Sequence, residues 1–347
     1  MNQYAAMSTK PTAQIICDLR SDTVTRPDAA MRKAMAEAEV GDDVFGDDPT
    51  VNRLESTLAE RLGKDAGLFL SSGTQSNFVG LLAHCARGEE IVTGRAYHIH
   101  KYEAKGASVL GGIAFEPLDV ADDGALEAKA IAAAVKDDDP HMPVTRLLGL
   151  ENTHNGMAIP LTRLGDAVQA GRDAGLAVHL DGARYFNAVA ALNCPERALA
   201  DMFDSISICL SKGLGTPVGS VLVGPRDLIA RARRWRKMLG GGMRQAGVLA
   251  AAGLYALDQN ISRLCDDHTR ATALADVLRE YGDVQHATNM IFFTPPGGVT
   301  ADLPQHMAAH GVQLTGATGT TRLVLHKDVT DDGLHAAIDG FRSFFGG

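Results

Sequence analysis

At 347 residues the chain is longer than the size at which one hydrophobic core usually stops growing, so we expect a large domain with a smaller one attached. Hydrophobic residues make up 45% and charged residues 22% of the sequence, a balance that excludes a disordered or fibrous protein. The formal net charge of −9 argues against a nucleic-acid or anionic-membrane partner, and the one basic run, residues 231–237, is interpreted as a solvated helix face or a subunit contact.

The cysteine content and the N-terminus both indicate a protein of a reducing compartment. Five cysteines are an odd number, they are widely spaced and they form no CxxC pair, so neither a disulfide framework nor a metal site is indicated. Residues 1–14 lack the apolar segment of a signal peptide, and no run of eighteen apolar residues occurs in the chain. We therefore expect a cytoplasmic protein without a membrane partner, whose residues 1–14 form a flexible tail.

The first two-thirds of the chain alternates between helical and strand patterns. Residues 51–62 carry apolar side chains at helical spacing, with Pro49 and Thr50 at the start and Gly63 as a left-handed stop. Short apolar runs predict strands at residues 66–70, 146–150, 176–180, 205–210 and 218–223. This alternation is typical of an α/β fold in which helices flank a mostly parallel central sheet.

The pattern changes in the last quarter of the chain. A long helical stretch is followed by further predicted elements, which are strands at residues 290–293 and 322–326 and a closing helix at residues 331–345. These elements predict a smaller C-terminal α+β domain over residues 256–347, after a large domain over residues 15–255.

Polar residues follow four of the predicted strands. They are Ser72-Gly73-Thr74, Glu151-Asn152, Asp181 and Lys212. Ligands of open α/β sheets bind beyond the carboxyl ends of the strands, so we expect these four clusters to lie at one edge of the sheet.

Lys212 and Asp181 are the residues with the clearest chemical interpretation. At a dry sheet edge the Lys212 ammonium would lose hydration and give up its proton more readily, as a lysine that forms a Schiff base requires. Asp181 precedes Arg184 by three residues, and a carboxylate beside a pyridine nitrogen keeps that nitrogen protonated, so that the ring accepts electrons. The alternatives are a surface lysine in a glycine-rich turn, and a helix cap with a surface ion pair.

Further polar residues suit an anionic ligand or proton transfer. Residues 71–77 lie between a strand and a helical run (78–85), where backbone N–H groups favour a phosphate, although such residues are also ordinary helix caps. His98 and His154 could stack on a flat ring or move a proton, although most of the 12 histidines must be structural. Arg322 could bind a carboxylate or be a solvated edge-strand residue. Together these groups indicate one ligand, a phosphorylated aromatic aldehyde.

At these residues the chain resembles the threonine aldolase family, which has the aspartate aminotransferase-like fold, also called fold type I, of pyridoxal-phosphate enzymes. Two of the motifs are long, VGDDVFGDDPT at residues 40–50 and LSKGLGTPVGS at residues 210–220. The other motifs cover residues 18–27, 72–77, 151–156, 179–184 and 240–245.

The resemblance implies how the cofactor, pyridoxal 5′-phosphate, would be bound. Lys212 would bind it as a Schiff base, Asp181 would face its ring nitrogen, and His98 would stack on the ring. Gly73 and Thr74 would bind its phosphate.

The resemblance also implies the substrate contacts and the assembly. Ser21, Arg184 and Arg322 would receive the substrate carboxylate, with Arg184 also close to the cofactor, and His154 would lie near the substrate hydroxyl. Arg244 would reach a phosphate in the neighbouring subunit, so the active site would depend on a homo-oligomer, typically a tetramer.

The implied reaction splits a β-hydroxy-α-amino acid of the threonine type into glycine and an aldehyde. The base that takes the hydroxyl proton would be His154, His98 or a bound water, and the sequence does not choose among them. The L configuration at Cα is implied, whereas the choice between threo and erythro substrates is open. A β-eliminating lyase or aminotransferase of the same fold, and a cofactor-binding protein without activity, are the alternatives.

Overall fold

The computed structural model describes residues 14–316 and 318–346, so the predicted tail lies outside the described residues except for Gln14. The described chain divides into two compact units. The first unit contains residues 14–26, 212–215, 259–316 and 318–346. The second unit contains residues 27–211 and 216–258.

The described strands are short. They are β1 (Cys17–Asp18), β2 (Ala66–Leu70), β3 (Glu89–Gly94), β4 (Ala114–Leu118), β5 (Val144–Glu151), β6 (Ala177–Gly182), β7 (Ser205–Cys209), β8 (Ser220–Gly224), β9 (Asp283–Ala287), β10 (Met290–Thr294), β11 (Val312–Gln313) and β12 (Thr321–Val324).

The described helices range from one to about four turns. They are α1 (Ala29–Ala36), α2 (Pro49–Arg61), α3 (Gly73–His84), α4 (His98–Lys101), α5 (Gly106–Gly111), α6 (Ala128–Ala134), α7 (Leu161–Asp173), α8 (Tyr185–Leu192), α9 (Glu196–Ala200), α10 (Arg226–Met238), α11 (Gly247–Gln259), α12 (Leu264–Leu278), α13 (Asp302–Ala309) and α14 (Asp331–Phe345). Among the described residues, each helix falls short of the length and apolarity needed to span a bilayer.

The second unit is built on a seven-stranded sheet in the order β2-β8-β7-β6-β5-β3-β4. Strand β8 runs antiparallel to both of its neighbours, whereas the remaining pairs are parallel, so the predicted mostly parallel sheet is confirmed. Every residue of β7 and β8 is buried, because helices cover both faces and continuous apolar runs are the sequences that suit such strands. The carboxyl ends of β2, β5, β6 and β7 lie at the same edge, where Ser72, Glu151 and Asp181 stand.

Helix α3 positions the first of these polar clusters. The helix begins at Gly73, well before the predicted helical run, because the Ser72 hydroxyl accepts a hydrogen bond from the Gln75 N–H at 3.1 Å and caps it. The first turn of the helix is polar, so apolar periodicity does not mark where the helix begins. The turn therefore presents helix N–H groups at the edge of the sheet.

The first unit is a smaller α+β assembly. Its three-stranded antiparallel sheet has the order β12-β10-β9, and β1 pairs in parallel with β11. Helices α12, α13 and α14 contribute to a core that includes Leu274, Ile291, Phe293 and Phe341. The predicted strands near residues 290 and 322 and the closing helix are all present.

Helix α10 carries the basic run, and its side chains lie in different environments. Arg231 and Arg234 are exposed, as expected for a solvated face. Arg236 is buried, donates to the Phe69 carbonyl at 2.7 Å and pairs with Asp43 at 2.6 Å. The interpretation of the whole run as a solvated face or subunit contact is therefore wrong for Arg236, because a carboxylate inside the unit compensates its charge.

Candidate active site

The residues predicted to carry chemistry are distributed over both units. The second unit holds Gly73, Thr74, His98, His154, Asp181, Arg184 and Arg244. The first unit holds Ser21, Lys212 and Arg322.

Asp181 lies near the carboxyl end of β6 and is only 2% exposed. Its Oδ2 accepts a hydrogen bond from Asn77 Nδ2 at 2.9 Å, and its Oδ1 accepts one from the Ala183 N–H at 3.0 Å. Both oxygens of this buried carboxylate therefore have a protein donor, which is the condition for burying such a group. A carboxylate held in this way suits a protonated ring nitrogen.

His98 begins helix α4 beside a second buried carboxylate. The Nδ1 atom of His98 lies 2.8 Å from Glu103 Oε1, and the His98 backbone N–H donates to Glu151 Oε2 at 2.6 Å. The His98 side chain is 40% exposed, whereas that of Glu103 is 5% exposed. Burial raises the pKa of the Glu103 carboxyl, the hydrogen bonds from His98 and Asn77 oppose that rise, and the nearby Asp181 charge adds to it.

Asn77 links the two carboxylates. Its Nδ2 donates to Glu103 Oε1 at 2.8 Å as well as to Asp181 Oδ2. One ligand-type atom from each of His98, Glu103 and Asp181 lies within 4.8 Å of the others, a spacing that would also suit a metal ion. The Asn77 amide opposes a cation there, because its N–H groups point at the oxygens that would bind the metal.

The start of α3 suits an anion. The backbone N–H groups of Gly73 and Thr74 belong to the first turn and have no acceptor among the described residues. The fully buried Ser220 hydroxyl likewise has no hydrogen-bond partner in the described part of the chain. A β-carbon at position 73 would stand 3.6 Å from Ser220 Oγ, so this hydroxyl lies directly beside the start of α3. A phosphate is one of the anions that helix N-termini bind in this way.

His154 is held on both sides. Its Nδ1 lies 2.8 Å from Glu151 Oε1, and its Nε2 lies 3.0 Å from Asn155 Nδ2. The ring is 4% exposed and stands 5.2 Å from the Tyr97 ring, centroid to centroid. Because Glu151 also accepts the His98 backbone N–H, it joins the segments that carry the two predicted histidines.

The two predicted arginines of the second unit differ in burial. Arg184 is partly buried and stands at the N-terminus of α8. Arg244 is exposed, and its Nη1 lies 2.9 Å from Asp42 Oδ2. Arg244 is therefore available to a molecule outside the subunit.

The three predicted residues of the first unit are all partly buried. The Lys212 carbonyl accepts hydrogen bonds from Thr25 Oγ1 at 3.0 Å and from the Gly215 N–H at 2.8 Å, which fixes the backbone that carries the lysine. Ser21 caps a 3-10 helix (Asp22–Val24) through the Thr23 N–H. Arg322 lies on β12 opposite Phe292 and donates to the Arg20 carbonyl at 3.2 Å.

A groove of about 750 Å³ in the second unit lies away from these residues. It runs between α2 and α10 and is lined by charged side chains that include Asp43, Glu55, Arg233 and Arg236. None of the residues predicted to carry chemistry lines it, so its size does not identify the reaction site.

Sequence reasoning missed three contributors to the site, which are Asn77, Glu103 and Ser220. Asn77 and Ser220 fall within motifs whose other members were assigned roles, and Glu103 follows His98 by five residues. A polar residue in an otherwise apolar strand was the local signal for Ser220, whereas Asn77 lies among other polar residues at the start of α3 and Glu103 lies outside the helices and strands. Their pairing with residues far away in the chain could not be read from that signal.

Comparisons with known proteins agree on one group. The sequence profile of the β-eliminating lyase family matches residues 18–294. The chain is 53% identical over 329 residues to the low-specificity L-threonine aldolase of Escherichia coli K12, covering 94% of this chain and 98% of that protein. It is 42% identical over 340 residues to low-specificity L-threonine aldolase 1 of Arabidopsis thaliana, covering 94% and 95%. The solved structure of Leishmania major threonine aldolase superposes with a TM-score of 0.79 at 21% identity, covering 95% and 99%, which supports the fold.

Proposed function

The chain belongs to the low-specificity L-threonine aldolase family, within the β-eliminating lyases, and we propose that it cleaves L-threonine, L-allo-threonine and related β-hydroxy-α-amino acids to glycine and an aldehyde. The enzyme is an aldehyde-lyase that depends on pyridoxal 5′-phosphate. The near full-length likeness to the E. coli aldolase is the observation that carries this proposal.

The described residues fit the cofactor at two points. The buried Asp181 carboxylate, with a donor on each oxygen, suits the protonated pyridine nitrogen. The N–H groups of Gly73 and Thr74, together with the unpartnered Ser220 hydroxyl, suit the phosphate. Lys212 would supply the amine that binds the aldehyde carbon, and His98 would pack on the ring.

When bound, pyridoxal phosphate supplies an electron-poor ring that stabilises negative charge at the substrate Cα. Asp181 would maintain that property by holding a proton on the ring nitrogen, and Asn77 and the Ala183 N–H keep the carboxylate in place. Ser21, Arg184 and Arg322 would orient the substrate through its carboxylate, because arginine forks bind carboxylates with two parallel hydrogen bonds. That orientation selects the Cα–Cβ bond for cleavage.

We assign removal of the β-hydroxyl proton to His98 rather than to His154. His154 is buried and engages Glu151 with one ring nitrogen and Asn155 with the other, so it is built to hold this segment in place. His98 is partly exposed and is paired with a carboxylate at Nδ1, which leaves Nε2 as the basic nitrogen of the neutral ring.

The decisive experiment replaces Lys212 with alanine. We expect Lys212→Ala to lose the visible absorbance of the bound cofactor and to stop multiple turnover, because the amine that carries the cofactor is gone. The exposed Lys129→Ala on α6 serves as the matched control and should behave as wild type. Steady-state cleavage of L-threonine by Lys212→Ala would contradict the assignment.

The products separate this reaction from others of the same fold. Glycine and acetaldehyde should form from L-threonine, and the same products should form from L-allo-threonine, since the proposal includes both. Ammonia and a keto acid would instead indicate β-elimination, and transfer of the amino group to a keto acid would indicate an aminotransferase. The ratio of the two cleavage rates gives the preference at Cβ.

We further propose a homo-oligomer, typically a tetramer, in which Arg244 reaches the cofactor phosphate of a neighbouring subunit. The exposure of Arg244 supports this, as do the exposed apolar side chains of Val44 and Phe45, which follow its ion-pair partner Asp42 in the chain. Exposed apolar side chains beside a group that reaches out of the subunit would suit a subunit contact.

We place the enzyme in the cytoplasm, where its reaction would consume threonine and supply glycine. All five cysteines lie within the described residues as free thiols, which is the state that a reducing compartment maintains.

A further inference from the structure

We propose that Glu103 is a positioning residue that orients His98 and keeps its imidazole basic, and that Asn77 ties Glu103 to Asp181. This inference rests on the proposed function, because it assigns a purpose to two residues that flank the proposed base and the ring-nitrogen acid. It is carried by the direction of the hydrogen bonds around Asn77.

The orientation of the Asn77 amide follows from its partners. The Asp181 carboxylate only accepts hydrogen bonds, so the NH2 group must face it, and the same group lies 2.8 Å from Glu103 Oε1. The amide oxygen then points the other way, toward His179 Nε2 at 3.4 Å. Each proton of the amide therefore serves one of the two carboxylates.

A buried chain of neutral groups holds the amide in this orientation. Burial lowers the pKa of His179 to about 3, so its ring is neutral and carries one N–H, which must lie on Nε2 to donate to Asn77. His179 Nδ1 then accepts from the Ser205 hydroxyl at 2.8 Å, and Ser205 accepts from His84 Nε2 at 2.7 Å. His84, Ser205, His179 and Asn77 thus form a series in which each side chain donates a hydrogen bond to the next, and Asn77 donates to the carboxylates of the candidate site.

The charges around His98 explain what Glu103 does. Glu103 Oε1 lies beside His98 Nδ1, and a carboxylate oxygen of Asp181 lies within 4.8 Å of a His98 ring nitrogen. Glu151 accepts a hydrogen bond from the His98 backbone N–H. On helix α4 itself the nearby cation is Lys101, whose ammonium lies over the Tyr102 ring at 5.1 Å. One carboxylate thus stands against the imidazole and a second lies in the same cluster, and these charges favour the protonated form of the ring and make its neutral form a stronger base.

The geometry also fixes the tautomer of the neutral ring. With Nδ1–H directed at Glu103, the second ring nitrogen is the one that accepts a proton. A carboxylate at this position therefore aligns the imidazole and also determines that Nε2 is the ring nitrogen that accepts a proton. Glutamine at position 103 would retain an acceptor for Nδ1–H but not the charge.

The test measures the histidines directly by NMR, in full-length protein labelled on its imidazole rings, with and without bound cofactor. His98→Asn and His179→Gln identify the two resonances. In the wild type we expect neutral His98 to carry its proton on Nδ1, and His179 to carry its proton on Nε2 without titrating down to about pH 5. The opposite tautomer at His98 would overturn the inference without any need for a Glu103 variant.

The variant Glu103→Gln should lower the pKa of His98 by about one unit, because the compensating anion is removed. The acid limb of kcat/KM against pH should move to lower pH by the same amount. Glu90→Gln, which removes a buried carboxylate on β3 outside the cluster, is the matched control and should leave His98 unchanged. Glu103→Asp should recover part of the wild-type value.

The two proposals fail in different ways. If the wild type does not form glycine and aldehyde, the proposed function is wrong whatever the NMR spectra show. If the wild type is active and Glu103→Gln leaves both the His98 pKa and the acid limb at their wild-type values, Glu103 is merely structural and this inference is wrong.

Discussion

His179 is completely buried, and it illustrates how a single residue links the stability of the fold to its chemistry. Burial lowers the pKa of His179 to about 3 and that of His84 to about 4, so both rings are neutral at neutral pH. The unfolded chain binds protons at these residues near pH 6.5, whereas the folded chain does not. The contribution of these two neutral rings to the free energy of unfolding is therefore complete above about pH 6.5. It is lost as the pH falls toward the folded-state pKa values, about 4 for His84 and about 3 for His179.

His179→Gln should expose this dependence. The variant is less stable at neutral pH because the links to Asn77 and Ser205 are weakened, but it lacks the titrating ring. The difference in unfolding free energy between wild type and variant should therefore narrow by up to about 1.4 kcal/mol per pH unit below pH about 6.5. Denaturant unfolding of both proteins at several pH values measures this, and a difference that does not change with pH would refute the neutral, buried state.

For single residues, the sequence indicated which residue types would form the candidate site but did not indicate which other residues they would contact. Lys212 and Asp181 stood out because each follows an apolar strand, a position where ligands bind. Glu103 was not predicted, because no local pattern marks its contact with His98 five residues earlier and its other partner, Asn77, lies far from it in the chain. Ionisation and hydrogen bonding depend on atoms within a few ångströms, and local sequence does not report those distances.

Helix α2 shows how one cap stabilises more than one element. Asp48 is fully buried, and its Oδ1 accepts hydrogen bonds from the Thr50 and Val51 N–H groups at 3.1 and 3.0 Å. Its Oδ2 accepts from the Gly247 N–H at 2.8 Å, at the start of α11, and from the Gly41 N–H at 3.2 Å. A β-carbon on Gly247 would stand 2.5 Å from the carboxylate, so glycine is required for this approach.

Asp48→Ala should therefore cost more than an ordinary cap. Loss of a typical N-cap costs about 1 kcal/mol, but here further buried N–H groups lose their acceptor, so we expect about 2–4 kcal/mol. Hydrogen exchange of the α2 and α11 amides, together with denaturant unfolding, measures the effect. Asp48→Asn retains one acceptor oxygen and should lose less, whereas a loss of only about 1 kcal/mol in Asp48→Ala would indicate that water replaces the carboxylate.

Elements with a strong local pattern were predicted well. The strand β2 and the helix α14 have the predicted bounds, because a short apolar run and a helical periodicity are properties of the segments themselves. The start of α3 was missed because its first turn is polar and serves the candidate site. Apolar patterns in the sequence indicate which residues are buried. They do not mark a helix turn whose residues are polar because they face a ligand.

For the whole molecule, the proposed sharing of active sites between subunits predicts complementation. Lys212→Ala and Arg244→Ala should each be inactive alone, but mixed oligomers should regain activity, because a site with Lys212 from one subunit and Arg244 from another is complete. Random pairing in equal amounts restores about one quarter of the sites. Activity is measured after joint refolding or co-expression, with the separately prepared variants mixed without exchange as the control. Oligomers that mix but stay inactive would place Arg244 outside the neighbour's site.

The sequence by itself determined the α/β class, the mostly parallel sheet and the chemical groups at the strand ends, because these follow from periodicity, strand-end position and long motifs. Only the tertiary structure decided that Asn77 joins Asp181 to Glu103, that His154 is held at both nitrogens, and that Arg236 is buried against Asp43. Hydrogen bonds and ion pairs need particular atoms about 3 Å apart in a set direction. Segments distant in the chain satisfy that condition only after the sheet has brought them together.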